Sequence, residues 1–227
     1  MRHDLIYRLN RWLSYLFPIR LAQYDSALSG PVEVNLVEGR QVLDTATSNY
    51  SYGPLQQVLA RGLREVPVAS RQSVLVLGMG GGSVIETLRE AFLCTAYIEA
   101  VEVDPIMVRL AQEVFKLDRF EGVHIIEADA AAHIHAGTSR FDLILVDIFV
   151  IDRIPEVFTA PDFLQGLVRR LNPGGYILYN TIRSTLDRKV FRAIQAVWTE
   201  AGLSVQVLEN VSGTNDLLIA TAPHVSA

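Results

Sequence analysis

The chain has 227 residues, half of them hydrophobic and a fifth charged, with a net charge of −5. That length supports one sizeable core, and the acidic balance argues against a general nucleic-acid binder. The single cysteine, Cys94, excludes an internal disulfide and fits a reducing cytoplasm.

The chain begins with Leu5, Leu9, Trp12, Leu13 and Leu16 at helical spacing. Arg8, Asn10 and Arg11 interrupt that stretch, so it reads neither as a signal peptide nor as a transmembrane segment. Such a helix is expected to pack on its own domain or on a second subunit, with a membrane surface as the alternative. Val32 to Val37 alternates with period two, Glu38-Gly39-Arg40 is a turn, and Gln41 to Asp44 returns, which predicts a β-hairpin. Asn49 to Pro54 is irregular, and Leu55 to Leu63 carries helical spacing. Residues 1–70 thus form an accessory region before an α/β domain over 71–227.

From residue 73 strands and helices alternate. Strands are predicted at 73–77, 96–103, 123–128, 141–146, 176–180, 204–209 and 216–221. Helices are predicted at 83–92, 105–115, 130–135, 161–171 and 187–201. Phe141 to Val146 is apolar throughout, as in a strand buried on both faces. The last two strands flank Ser212-Gly213-Thr214-Asn215 and should be antiparallel. The fold class is α/β: a doubly wound, mostly parallel seven-stranded sheet with an antiparallel last strand, plus a small N-terminal helix and hairpin.

In such a sheet ligands bind beyond the carboxyl ends of the strands. Four clusters lie there. The first is Gly78-Met79-Gly80-Gly81-Gly82-Ser83, a glycine-rich turn before a helix, where the backbone can approach a ligand closely. The second is Glu102-Val103-Asp104, whose acids can hold ribose hydroxyls; Asp104, before Pro105, equally suits a helix cap. The third is Asp129-Ala130, where the carboxylate can accept from an adenine amine or cap a helix. The fourth is Asp147, a carboxylate at the tip of a central strand and a candidate proton acceptor. The glycines match G-x-G-x-x-G/A only partly, since Ser83 takes the last place, and no lysine follows them as a P-loop would require.

Together with Leu171-Asn172-Pro173-Gly174-Gly175, these clusters resemble the class I S-adenosylmethionine-dependent methyltransferase superfamily. Within it they look most like the spermidine synthase group, over roughly residues 30–222. The resemblance implies a Rossmann-like methyltransferase fold. It implies a nucleoside cofactor held by Gly78, Gly80, Gly81, Gly82, Glu102, Val103, Asp104, Asp129 and Ala130, with Asp147 assisting the attacking group. Tyr52 falls where that group places a substrate-gripping tyrosine, and Phe149 lies where the acceptor would bind. The group's loop aspartate is Gly81 here, and the second acid of its D-S-S-D segment is Val150. A diamine needs paired carboxylates in a dry site, so the polyamine half departs from the pattern while the nucleoside half matches it.

The expected activity is therefore methyl transfer from S-adenosylmethionine to a small acceptor. Aminopropyl transfer from decarboxylated S-adenosylmethionine and a non-catalytic nucleoside-binding role are the alternatives. A cytoplasmic homodimer without metal or nucleic acid is expected. His133 and His135 lack a completing ligand set. Phe191 and Trp198 are expected in the core, and Arg169, Arg170 and Arg183 in solvent.

Overall fold

A computed structural model describes residues 2–45, 49–51, 54–150 and 152–224. Helix α1 (Arg2–Leu13) leads into an antiparallel sheet of β1 (Ile19–Ser26), β2 (Gly30–Val37), β3 (Arg40–Thr45) and β4 (Asn49–Ser51), paired in that order. The hairpin of β2 and β3 is as expected; β1 is an addition. Its pairing with β2 slips between Arg20 and Ala22, and a slip of this kind breaks the alternation that reveals a strand.

Val32, Val34 and Leu43 of this small sheet pack against Met107, Leu110 and Phe115. The end of α1 is tied to the β2–β3 turn: Glu38 N donates to Ser14 O at 2.9 Å and Gly39 N to Ser14 Oγ at 2.8 Å. Beyond that tie, apolar side chains at and after the end of the helix are uncovered within the single chain. Leu9, Trp12, Tyr15, Leu16 and Phe17 all stand more than half exposed. No helix among the described residues is long and apolar enough to cross a membrane.

The main sheet contains β5 (Ser73–Leu77), β6 (Tyr97–Glu102), β7 (Val123–Glu127), β8 (Phe141–Val146), β9 (Leu171–Ile182), β10 (Ser204–Val211) and β11 (Asn215–Thr221). Their spatial order is β10-β11-β9-β8-β5-β6-β7. All neighbours from β7 to β9 pair in parallel. The last strand, β11, lies between β9 and β10 and is antiparallel to both. Its first residues therefore arrive at the same edge as the carboxyl ends of β5 to β9.

Helix α2 (Pro54–Leu63) covers one face of this sheet with α3 (Ser83–Glu86) and α4 (Pro105–Glu113). Val58, Leu59 and Leu63 of α2 enter the same buried cluster as β5 and β8. Gly62 is needed there, because a Cβ would lie 2.6 Å from a Leu178 methyl. The other face carries α5 (Ala130–Ala136), α7 (Pro161–Arg169) and α8 (Arg188–Glu200), with short α6 (Glu156–Thr159) before α7. Trp198 and Phe191 are buried there, as expected. The helix expected over 83–92 changes character: α3 is followed by a π-helical turn over Thr87–Ala91.

Arg170 is a correction. It is 3% exposed, not solvated. Its guanidinium donates to the carbonyls of Ser139, His133 (3.0 Å) and Ile134 (3.4 Å), closing the carboxyl end of α5. A buried arginine is tolerated when carbonyls take its protons, and those partners are brought by the fold. Arg169 remains exposed, and half-exposed Arg183 lies 3.5 Å from Asp216. His133 meets Glu99 at 2.6 Å, and no cluster able to hold a metal occurs among the described residues.

Candidate active site

The carboxyl ends of β5, β6, β7 and β8 open on a cavity of about 710 Å³. At its floor the chain leaves β5 through Gly78, whose φ is +79° and whose missing Cβ would strike the Asp147 carbonyl. The Gly78 and Met79 amides both donate to Val101 O, at 3.0 and 3.1 Å. The Gly80 amide turns instead to the Glu102 carboxylate, at 2.8 Å. Gly78 and Gly80 thus line the cavity. Gly82 does not. With φ +86° it begins α3, and a Cβ there would enter the Leu117 side chain. Its role is close packing, and Gly81 likewise is not among the lining residues.

Glu102 is 8% exposed and faces the glycine turn. One carboxylate oxygen takes the Val103 and Asp104 amides, at 2.9 and 3.0 Å, and the other takes Gly80. Burial pushes its pKa up, and these amides pull it back. Two carboxylate oxygens offer about four acceptor positions, so a ribose hydroxyl can still be accepted beside Gly80. Val103 is half exposed and lines the same wall.

Asp104 also lines the cavity, and three donors occupy its carboxylate. Oδ1 accepts from Ile106 N at 2.9 Å and caps α4. Oδ2 accepts from the Ser26 hydroxyl and, at 2.6 Å, from the Ser29 hydroxyl. It thereby clasps the small sheet onto the end of β6. Asp129 caps α5 through Ala132 N at 2.8 Å while standing exposed at the cavity wall beside Ala130.

Asp147 lies at the tip of β8, held by Asn180 Nδ2, which donates to Oδ1 at 2.8 Å. Burial pushes the Asp147 carboxyl up to about 6, against the pull of that hydrogen bond. A group titrating there is suited to take a proton near neutral pH. Ile148, Phe149 and Val150 continue an apolar wall from it, and Pro155 and Val157 add to the apolar lining. Val150 and Arg153 exchange two backbone hydrogen bonds, which brings Asp152 to the rim. Tyr52 lies outside the described residues.

The lining includes Glu102, Asp104, Asp129, Asp147 and Asp152, and no Lys, Arg or His among the described residues. Such a cavity favours a cationic ligand. Several lining residues escaped the sequence reading: Leu28 and Ser29 from the β1–β2 turn, and Thr214 and Asn215 from the start of β11. The unpredicted β1 and the insertion of β11 beside β9 bring them here.

A family model described as a methyltransferase domain matches residues 74–175, which span β5 to the beginning of β9. The strand order and the position of the cavity agree with that match. The chain thus carries a methyltransferase-like fold over this segment. Its sequence is 29% identical over 137 residues to a polyamine aminopropyltransferase of Vibrio vulnificus, covering 59% of this chain and 45% of that protein. It is 28% identical over 193 residues to an eEF1A lysine and N-terminal methyltransferase homolog of Drosophila pseudoobscura, covering 79% of this chain and 28% of that protein. The chain thus spans less than half the length of these relatives. Among solved structures, a probable spermidine synthase from Corynebacterium glutamicum superposes with a TM-score of 0.67 at 19% identity, covering 88% of this chain and 79% of that one. Human methyltransferase-like protein 13 in complex with SAH superposes with a TM-score of 0.59 at 23% identity, covering 76% and 83%. The methyltransferase-like fold is shared by relatives that transfer either kind of group.

Proposed function

We propose that this protein transfers the methyl group of S-adenosylmethionine to a small acceptor, with Asp147 receiving the acceptor's proton. The observation that carries the reading is the asymmetry of the cavity. The nucleoside side keeps Gly78, Gly80, Glu102 and Asp129 in place. The acceptor side offers Ile148, Phe149 and Val150, with Val150 where spermidine synthases carry an acid. When bound, the cofactor supplies a methyl group already activated on a sulfonium. The residues then need to bind, align and exclude water. Glu102 would accept from the ribose hydroxyls and Asp129 from the adenine amine. The acid-only lining suits the sulfonium charge. Asp147 Oδ2 would take the proton shed by the attacking atom, and the apolar wall would hold an acceptor with an aromatic or aliphatic body.

Aminopropyl transfer is the second reading, favoured by Asp152 at the rim, which gives a diamine a possible second carboxylate. Calorimetric titration with S-adenosylmethionine, its decarboxylated form and methylthioadenosine separates the two. Tighter binding of S-adenosylmethionine is expected; preference for the decarboxylated form would reverse the order of the readings. Failure of all three to bind would defeat both.

A further inference from the structure

The face of the main sheet under α2 is apolar along most of its strands. Leu143 and Leu145 of β8, Leu178 of β9 and Leu217 of β11 all belong to one buried cluster. At the cavity edge the same columns turn polar. β8 ends in Asp147, Leu178 is followed two residues on by Asn180, and Leu217 is preceded by Asn215. Asn180 and Asn215 are 2% and 1% exposed.

These groups form a single directed row. Thr214 Oγ1 donates to Asn215 Oδ1 at 2.6 Å. Asn215 Nδ2 donates to Asn180 Oδ1 at 2.9 Å, and Asn180 Nδ2 donates to Asp147 Oδ1 at 2.8 Å. The direction follows from the last acceptor. An ionised carboxylate only accepts, so Asn180 must present its NH₂ to it and its carbonyl to Asn215. Asn215 must then present its own NH₂, leaving its carbonyl for the threonine hydroxyl. Asn180 does not line the cavity and stands behind Asp147. Two buried amides in a sheet are costly unless fully paired, and leucines would continue the packing at these places.

We propose that Asn180 is a positioning residue for Asp147, and that Asn215 and Thr214 fix the orientation of Asn180. The row holds Oδ1 and selects one carboxylate rotamer, which leaves Oδ2 for the acceptor's proton. It also keeps Asp147 ionisable in a wall that otherwise resists charge. The other charged groups lining the cavity are Glu102, Asp104, Asp129 and Asp152, all of which oppose ionisation of Asp147. Arg183 is engaged with Asp216. The inference rests on the reading of Asp147 as proton acceptor.

The test reads Asp147 without needing an acceptor. Protein labelled with ¹³C at aspartate carboxyls is titrated by NMR, with the Asp147 signal assigned by its loss in Asp147→Asn. Asn180→Leu is expected to raise the Asp147 midpoint by about one pH unit, the effect of losing a charge-assisted hydrogen bond. Asn215→Ser, which frees Asn180 without removing it, is expected to raise it by less. An unchanged midpoint in a folded Asn180→Leu overturns the proposal. Should that variant fail to fold, Asn215→Ser decides, and there too an unchanged midpoint overturns it. Calorimetric binding of S-adenosylmethionine is followed in parallel. Loss of binding in the unaltered protein would defeat the methyltransferase reading, whereas a static Asp147 midpoint with binding intact would defeat only the row.

Discussion

On the β5–β6–β7 side of the cavity, each polar group that faces the proposed nucleoside also holds backbone. Glu102 gathers the amides of Gly80, Val103 and Asp104, and Asp129 caps α5. On the β8–β9–β11 side, Asp147 is held by a side chain, and its neighbours Ile148, Phe149 and Val150 come from a loop. The first side is built into the strand ends, so altering it disturbs the fold as well as the ligand. The second is a proton acceptor set beside a replaceable wall. That division lets one cofactor site serve different acceptors, consistent with relatives named for aminopropyl and for methyl transfer.

The largest test of this division is Asp147→Asn. An amide cannot take the acceptor's proton, so turnover with a cognate acceptor should fall about 10²- to 10⁴-fold. Affinity for S-adenosylmethionine should hold within about twofold, because Asp147 belongs to the other half. Single-turnover kinetics and calorimetry measure the two separately. A variant losing both together would mean that the halves are not independent.

Glu102→Ala probes the opposite half. It removes the acceptor for the ribose and releases three backbone amides, so binding should weaken by about 1.5–3 kcal/mol, as for a hydrogen bond to a charged group. Calorimetry reads this directly, and an unchanged dissociation constant would remove Glu102 from the site.

Asp147 and the glycine turn are legible in the sequence because both sit where a short apolar run ends. The runs Ser73–Leu77 and Phe141–Val146 match β5 and β8 residue for residue, bounded by glycine on one side and an acid on the other. Asp104 could not be resolved the same way. Its position before Pro105 announced a cap, but its two serine partners lie 78 and 75 residues away, in a turn after a strand whose alternation is broken. Arg170 was misjudged because its carbonyl partners are assembled only by the ends of α5 and the following loop. Asn180 had a faint signal: an amide where Tyr176 to Tyr179 set up an apolar strand interior. Its meaning depends on β11 being inserted between β9 and β10, directly beside it, and no local pattern states that.

The Ser26 and Ser29 clasp sharpens the comparison at intermediate strength. Ser26→Ala with Ser29→Ala leaves Asp104 Oδ2 without its two hydroxyl donors, and Asp104 is 2% exposed. The double variant should lose about 2 kcal/mol of stability, read in urea unfolding. The bonds of Glu102 are untouched, so S-adenosylmethionine binding should change little. A large loss of affinity instead would make the small sheet part of the nucleoside site.

The smallest effect concerns stability and pH. The Asp147 carboxyl has an ordinary value of about 4 in the unfolded chain and is pushed up to about 6 in the fold. A raised carboxylate contributes its stability fully below the unfolded value and loses it as pH rises through the folded one. Above about pH 7 the ionised form therefore costs the native state, and Asp147→Asn removes that cost. Because Asp147 borders an open cavity, solvent screening reduces the gain to about 1 kcal/mol. The variant should match the unaltered protein near about pH 4, exceed it increasingly up to about pH 7, and keep a constant margin above that. Thermal melts across that range measure the difference. A gain that did not grow with pH would show that the carboxylate is as well solvated as one on the surface, and would remove the basis for treating the β8 side as a dry wall around one acid.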